Sequence, residues 1–141
     1  MPSRQAGTSS VPGNYIPIPG SERRPSKTAR RLGPADPNGV LSVTISLRRR
    51  PDGEPVPDDD YFLNVHPAQR QRMPPDAFVR RYGASQEDID KVVAFANSNQ
   101  LTVLETDAAR RMVIVRGTVA QMNAAFAVDL GHYEHDVKTK L

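Results

Sequence analysis

A chain of 141 residues has room for one domain around one core, since compact domains most often hold roughly 100 to 150 residues, and a second lobe closing over a cleft is excluded. Hydrophobic residues make up 38% of the chain and aromatics only 6%, while 13 prolines and 9 glycines exceed what such a core uses, so part of the chain is expected to lie outside it. The net charge of +3 is uneven: residues 1–39 hold six basic and two acidic side chains against 13 and 14 in residues 40–141, so the folded part lacks the positive face that phosphate binding needs.

With no cysteine, disulfides and thiolate metal sites are also excluded. No apolar run approaches the ~18 residues of a membrane span, and no apolar core of a secretory signal is visible.

Residues 1–39 show no sustained period of 2 or 3.6 and are interrupted by seven prolines, which reads as a disordered, Pro- and Arg-rich arm. Within it, the apolar residues of Asn14-Tyr-Ile-Pro-Ile-Pro-Gly20 alternate with prolines, a pattern suited either to an extended strand on some surface or to a solvated tail. From Val40 the alternation becomes strict. Leu41, Val43, Ile45 and Leu47 point one way and Ser42, Thr44, Ser46 and Arg48 the other, as in a half-buried strand. Pro51, Gly53, Pro55 and Pro57 then predict a loop ending in Asp58-Asp59-Asp60, read as solvated because it lacks the ligand spacing and glycine of a calcium loop.

A short helix is expected from Pro75, presenting Phe78, Val79 and Tyr82 and stopped by Gly83. Ser85-Gln-Glu-Asp88 is a capping box for a second helix that carries Ile89, Val92, Val93 and Ala96 at core spacing and ends around Asn97 to Gln100. Leu101–Thr106 reads as a strand, Asp107–Arg110 as a turn and Arg111–Arg116 as the hairpin partner. Thr118-Val-Ala-Gln121 opens another helix with Val119, Met122, Ala125 and Phe126 on one face, and Val128–His135 suits a last strand. The fold class is therefore α+β: a ferredoxin-like split βαβ sandwich, an antiparallel sheet with helices on one face, preceded by the disordered arm.

Little in this chain resembles a catalytic centre. His132 and His135 fall on a strand, where residues three apart face opposite sides, and His66 stands alone. Gly7-Thr8-Ser9 has the look of a nucleophile loop but sits in the arm, without a base or a rigid oxyanion site, and no phosphate loop occurs. No catalytic, cofactor-binding or metal-binding residue is assigned, and the chain is read as not itself an enzyme. The sheet says more. Met112-Val-Ile-Val115 is apolar at four consecutive positions, so this strand shows apolar side chains to both faces, although a central strand rich in β-branched residues reads the same way. The short side chains of Ser42, Thr44 and Ser46 leave the face away from the helices flat enough to receive a partner, together with Met112 and Ile114 or, in the other register, Val113 and Val115.

Five segments in order, Tyr15-Ile-Pro-Ile-Pro-Gly-Ser-Glu-Arg23, Leu41 to Arg50, Phe78 to Ile89, Val113 to Phe126 and Leu130 to His135, resemble the activation domain, or pro-segment, of sedolisin-type serine-carboxyl peptidases of the kumamolisin group. The resemblance implies a ferredoxin-like prodomain over residues 40–136, which assists folding of the peptidase domain of the same precursor and keeps it inactive until acid-triggered autoprocessing. It also implies an extracellular location, a monomer, and a Ser, Glu and Asp triad and structural calcium that belong to the peptidase domain, outside this chain. Residues 137–141 then read as the start of a truncated linker, since the family's pro-segment continues into one that crosses the active-site cleft. If acid release works through carboxylates that lose their partners on protonation, the candidates are Glu105, Asp107, Asp129 and Glu134. A free-standing inhibitor acting in trans is the alternative. An RNA-recognition domain of similar strand order is disfavoured, because Arg111–Gly117 has no aromatic residue to stack a base.

Overall fold

The computed structural model describes residues 15–16, 19–20, 26–70 and 72–135. In chain order these form β1 (Arg30–Pro34), β2 (Val40–Ser46), α1 (Asp59–Asn64), a 3-10 turn (Pro67–Gln69), α2 (Pro75–Tyr82), α3 (Gln86–Ser98), β3 (Thr102–Asp107), β4 (Met112–Thr118), α4 (Val119–Phe126) and β5 (Gly131–Glu134). The expected α+β sandwich is what the chain adopts. An antiparallel sheet of order β2-β4-β3 is backed by α3 and α4.

The alternation in β2 sets which side of that sheet is inside. Leu41, Val43 and Ile45 face Gly117, Val115 and Val113 of β4, and Val113 and Val115 are completely buried. Ile89 and Ala96 of α3 and Met122 and Ala125 of α4 close the same core, with the Phe95 and Phe126 rings 5.7 Å apart bridging the two helices. Both helix starts follow from their caps. Thr118 and Gln121 satisfy each other's backbone reciprocally, whereas at Ser85 only half the box forms, the hydroxyl accepting from the Asp88 N–H at 3.1 Å.

Gly83 does end α2, but at an ordinary φ of −73°, so its need for glycine comes from close approach and not from a left-handed backbone. A Cβ here would lie 2.6 Å from the Val79 carbonyl oxygen and 2.8 Å from that of Ala108, while the neighbouring Ala84 N–H donates to the same Ala108 oxygen. Gly83→Ala is therefore expected to destabilise the domain by about 1–3 kcal/mol, measurable by urea denaturation.

Three expectations need correcting. The acidic run is not loop: Asp58 caps α1, accepting from the Tyr61 N–H at 3.0 Å, and Asp59 and Asp60 occupy the first turn, where carboxylates suit the positive end of the helix dipole. Residues 30–34, placed in the arm, form β1. The last strand is shorter than Val128–His135, and it pairs with β1 in a separate two-stranded ribbon while the outer side of β2 stays without a neighbouring strand among the described residues. Ion pairs explain part of that preference: Arg30 meets Glu134 at 2.6 Å directly across the ribbon, and Arg31 meets Asp129 at 2.7 Å. Of the arm, residues 1–14, 17–18 and 21–25 lie outside the described residues, as do the linker residues 137–141.

Candidate partner-docking face

Strand parity now decides between the two registers. Because Val113 and Val115 turn into the core, Met112 and Ile114 project to the opposite face, aligned with Ser46 and Thr44 of β2. Ser42, Thr44, Ser46, Met112 and Ile114 therefore share one surface. The three hydroxyl side chains are exposed, Ile114 is half-buried and Met112 is 8% exposed. On the other flank a bulge in β3 sets two residues, Leu104 and Glu105, against Ile114, and Leu104 is left 47% exposed. This apolar strip of Met112, Ile114 and Leu104 is narrower than four consecutive apolar residues suggested. Sequence periodicity missed Leu104, since a bulge has no signature in an otherwise regular strand.

The four candidate carboxylates separate into two places. Glu105 and Asp107, opposite Ile114 and Met112, edge the docking face and share Arg110 at 3.4 and 3.8 Å. Asp129 and Glu134 hold the β1–β5 ribbon through Arg31 and Arg30. A fifth carboxylate was not foreseen. Arg48, just beyond β2, donates from Nε to Asp88 at 2.9 Å, tying the end of the strand to the start of α3, and the Asp88 side chain is only 12% exposed. The hydrogen bond from Arg48 holds the Asp88 carboxyl below its ordinary value, against the opposing effect of desolvation and with help from the Arg48 charge. An aspartate depressed in the folded state adds stability that is present above its unfolded value of about 3.9 and lost as pH falls through the folded value. Asp88→Asn is therefore expected to lower the melting temperature at neutral pH, and the gap from the unaltered chain should close on acidification below that range.

Around the corner from the docking face, a groove of about 370 Å³ runs between β2 and the end of α4, lined by Leu41, Val43, Ile45, Met122, Phe126 and Leu130 among others. The Tyr15 hydroxyl donates to the carbonyl of Ala125, the residue before the groove-lining Phe126 and one of the helix-end acceptors that has no partner within α4. So at least this residue of the arm is docked on the domain. A larger hollow of about 660 Å³ between residues 54–57, α1 and α2 contains none of the candidate residues. His132 lies on β5 and His135 just after it, and among the described residues no group of three His, Asp or Glu side chains gathers as metal ligands would. Likewise, no described helix is long and apolar enough to cross a membrane.

Comparison with known proteins supplies the deciding observation, a match of residues 27–141 to the family model of the pro-kumamolisin activation domain. This chain belongs to that family. Four of the five segments that carry the resemblance fall inside the match, and the one around Tyr15 precedes it. Among curated proteins, the activation domain is 30% identical over 118 residues to kumamolisin of Bacillus sp. (strain MN-32), covering 84% of this chain and 21% of that protein. It is 27% identical over 122 residues to tripeptidyl-peptidase sed5 of Aspergillus fumigatus, covering 86% and 21%. The chain thus spans about a fifth of the length of the curated relatives it matches.

Proposed function

We infer that the chain acts as the pro-segment of a secreted, acid-acting serine-type endopeptidase, a folded template and inhibitor that docks on its peptidase domain and leaves after autoproteolytic activation. One observation carries this reading: a member of the activation-domain family presents, on the side of its sheet away from the helices, an apolar strip of Ile114 and Leu104, with the nearly buried Met112 at its end, beside the short side chains of β2. Helices of a peptidase body fit such a surface, because short side chains permit close approach and the strip adds on the order of 25 cal/mol per Å² of apolar area removed from water, before the costs of association. The triad and the structural calcium belong to that body. The activation domain itself is a monomer that takes no part in bond cleavage and meets neither nucleic acid nor membrane.

Acid release is assigned first to Glu105 and Asp107, because these two border the strip, with Arg110 and the exposed Arg116 as the cations nearest the same face in sequence and register. Asp129 and Glu134 act through the ribbon instead. The test is calorimetric titration of the 141-residue chain into the cognate peptidase domain, inactivated at its nucleophile, at pH 7 and at about pH 4, within the carboxylate range. Tight binding at neutral pH and at least about tenfold weaker binding in acid are expected. Equal affinity at both would remove the carboxylate switch. Failure to bind at pH 7 would remove the pro-segment role.

A further inference from the structure

In a split βαβ sandwich the last strand ordinarily returns beside the first strand of the unit, which here is β2. β5 pairs with β1 instead, and the vacated place is built to receive a strand. The Leu47 N–H donates to Arg111 at one end of β2, and the Val119 N–H donates to Gly39 at the other. Those two bonds set the phase of the ladder: odd-numbered residues turn their backbone groups to β4, and Val40, Ser42, Thr44 and Ser46 turn theirs outward. None of these four outward residues has a backbone partner among the described residues. Native edges are normally blunted by proline, charge or a bulge. Val40–Ser46 carries none of the three.

We propose that the outer edge of β2 accepts an extended segment of the peptidase as an added strand. This rests on the pro-segment reading above and names a second contact for the same partner. Residues of the segment that lie opposite Leu41, Val43 and Ile45 project toward the apolar groove, so every second side chain is apolar. Beyond the strand, Arg48 and Arg50 are paired with Asp88 and Asp52 while Arg49 is exposed and has no ion-pair partner among the described residues, so the segment carries an acidic residue at that end. Size favours a segment of the docked body over a second copy of this chain. A seven-residue edge is only about 23 Å long, so pairing along it falls well short of the ~1,200 Å² that a stable free-standing interface buries. A segment on a body already seated on the adjacent face needs no such area, because its effective concentration is high.

The experiment is hydrogen exchange on the 141-residue chain, alone and with the inactivated cognate peptidase domain at pH 7. In the complex, the amides of Ser42, Thr44 and Ser46 are expected to slow by at least about tenfold. Thr44→Pro, which removes an N–H that β4 does not use, is expected to weaken the complex about tenfold while the β4 amides stay protected. If the complex forms but those three amides exchange as they do in the free chain, the peptidase does not add a strand at this edge and only the face-docking role stands. Protection that grows with chain concentration in the absence of peptidase would assign the edge to a second copy and overturn the proposal. Absence of any complex would remove both readings together.

Discussion

Ile114→Lys is expected to leave the chain folded and to weaken its complex with the peptidase domain at least about 100-fold, which corresponds to about 2.7 kcal/mol. Ile114 sits at the centre of the strip, between Thr44 and Glu105, on the face away from the helices. A lysine there is received in the free chain by solvent and by the adjacent Glu105, so the fold should change by less than about 1 kcal/mol. Against an apposed protein body the same ammonium is desolvated without a built partner, a loss in the range of interface hot spots. One residue further along the strand the outcome inverts. Val115 is completely buried between Val43 and Val103, so Val115→Asp strands a charge in the core and should abolish cooperative unfolding. Circular dichroism separates the two variants, and titration against the peptidase measures the first. If Ile114→Lys binds as tightly as the unaltered chain, the face is not the interface.

Met122→Ala is expected to destabilise the free domain by about 2–5 kcal/mol. Its side chain is 1% exposed and, with Leu101, closes over Gly117, where an added Cβ would come within 3.4 Å of the Met122 methyl. Truncation leaves a cavity between α4 and the sheet that the neighbouring strands cannot collapse into. For a domain of about 100 residues this corresponds to a fall in melting temperature of at least about 8 °C. Met112 makes the informative control. It is nearly as buried but lies outside the core cluster, on the opposite face, so Met112→Ala should cost roughly half as much or less. Equal costs would mean that the Met112 end of the docking face is already closed within the domain.

Signals contained within a few residues were readable in advance. Strict alternation made β2 a half-buried strand, the Thr118 and Gln121 pair opened α4, and Ile89 to Ala96 at core spacing placed α3, because each depends on chain geometry within one or two turns. The acidic run defeated the same reasoning. α1 spans only Asp59–Asn64 and buries no residue, so it has no apolar period to detect, and its only sign was a potential N-cap in Asp58. β1 was hidden for a related reason: Arg-Arg-Leu-Gly-Pro has no alternation, and it becomes a strand by pairing with residues about a hundred positions away.

The docking face shows where local information stops. Four apolar residues in a row at Met112–Val115 carry no phase, and only pairing with β2, whose own alternation does have one, sends Val113 and Val115 inward and leaves Met112 and Ile114 outside. The Arg48–Asp88 pair, the bulge at Leu104 and the unpaired edge of β2 likewise arise from neighbours distant in sequence. Periodicity and capping were thus enough to establish the elements and the α+β class of this protein. Which side faces a partner, which edge stays open and which carboxylate is held ionised were decided by long-range strand pairing, because backbone hydrogen bonds and ion pairs between distant segments exist only once the chain has closed on itself.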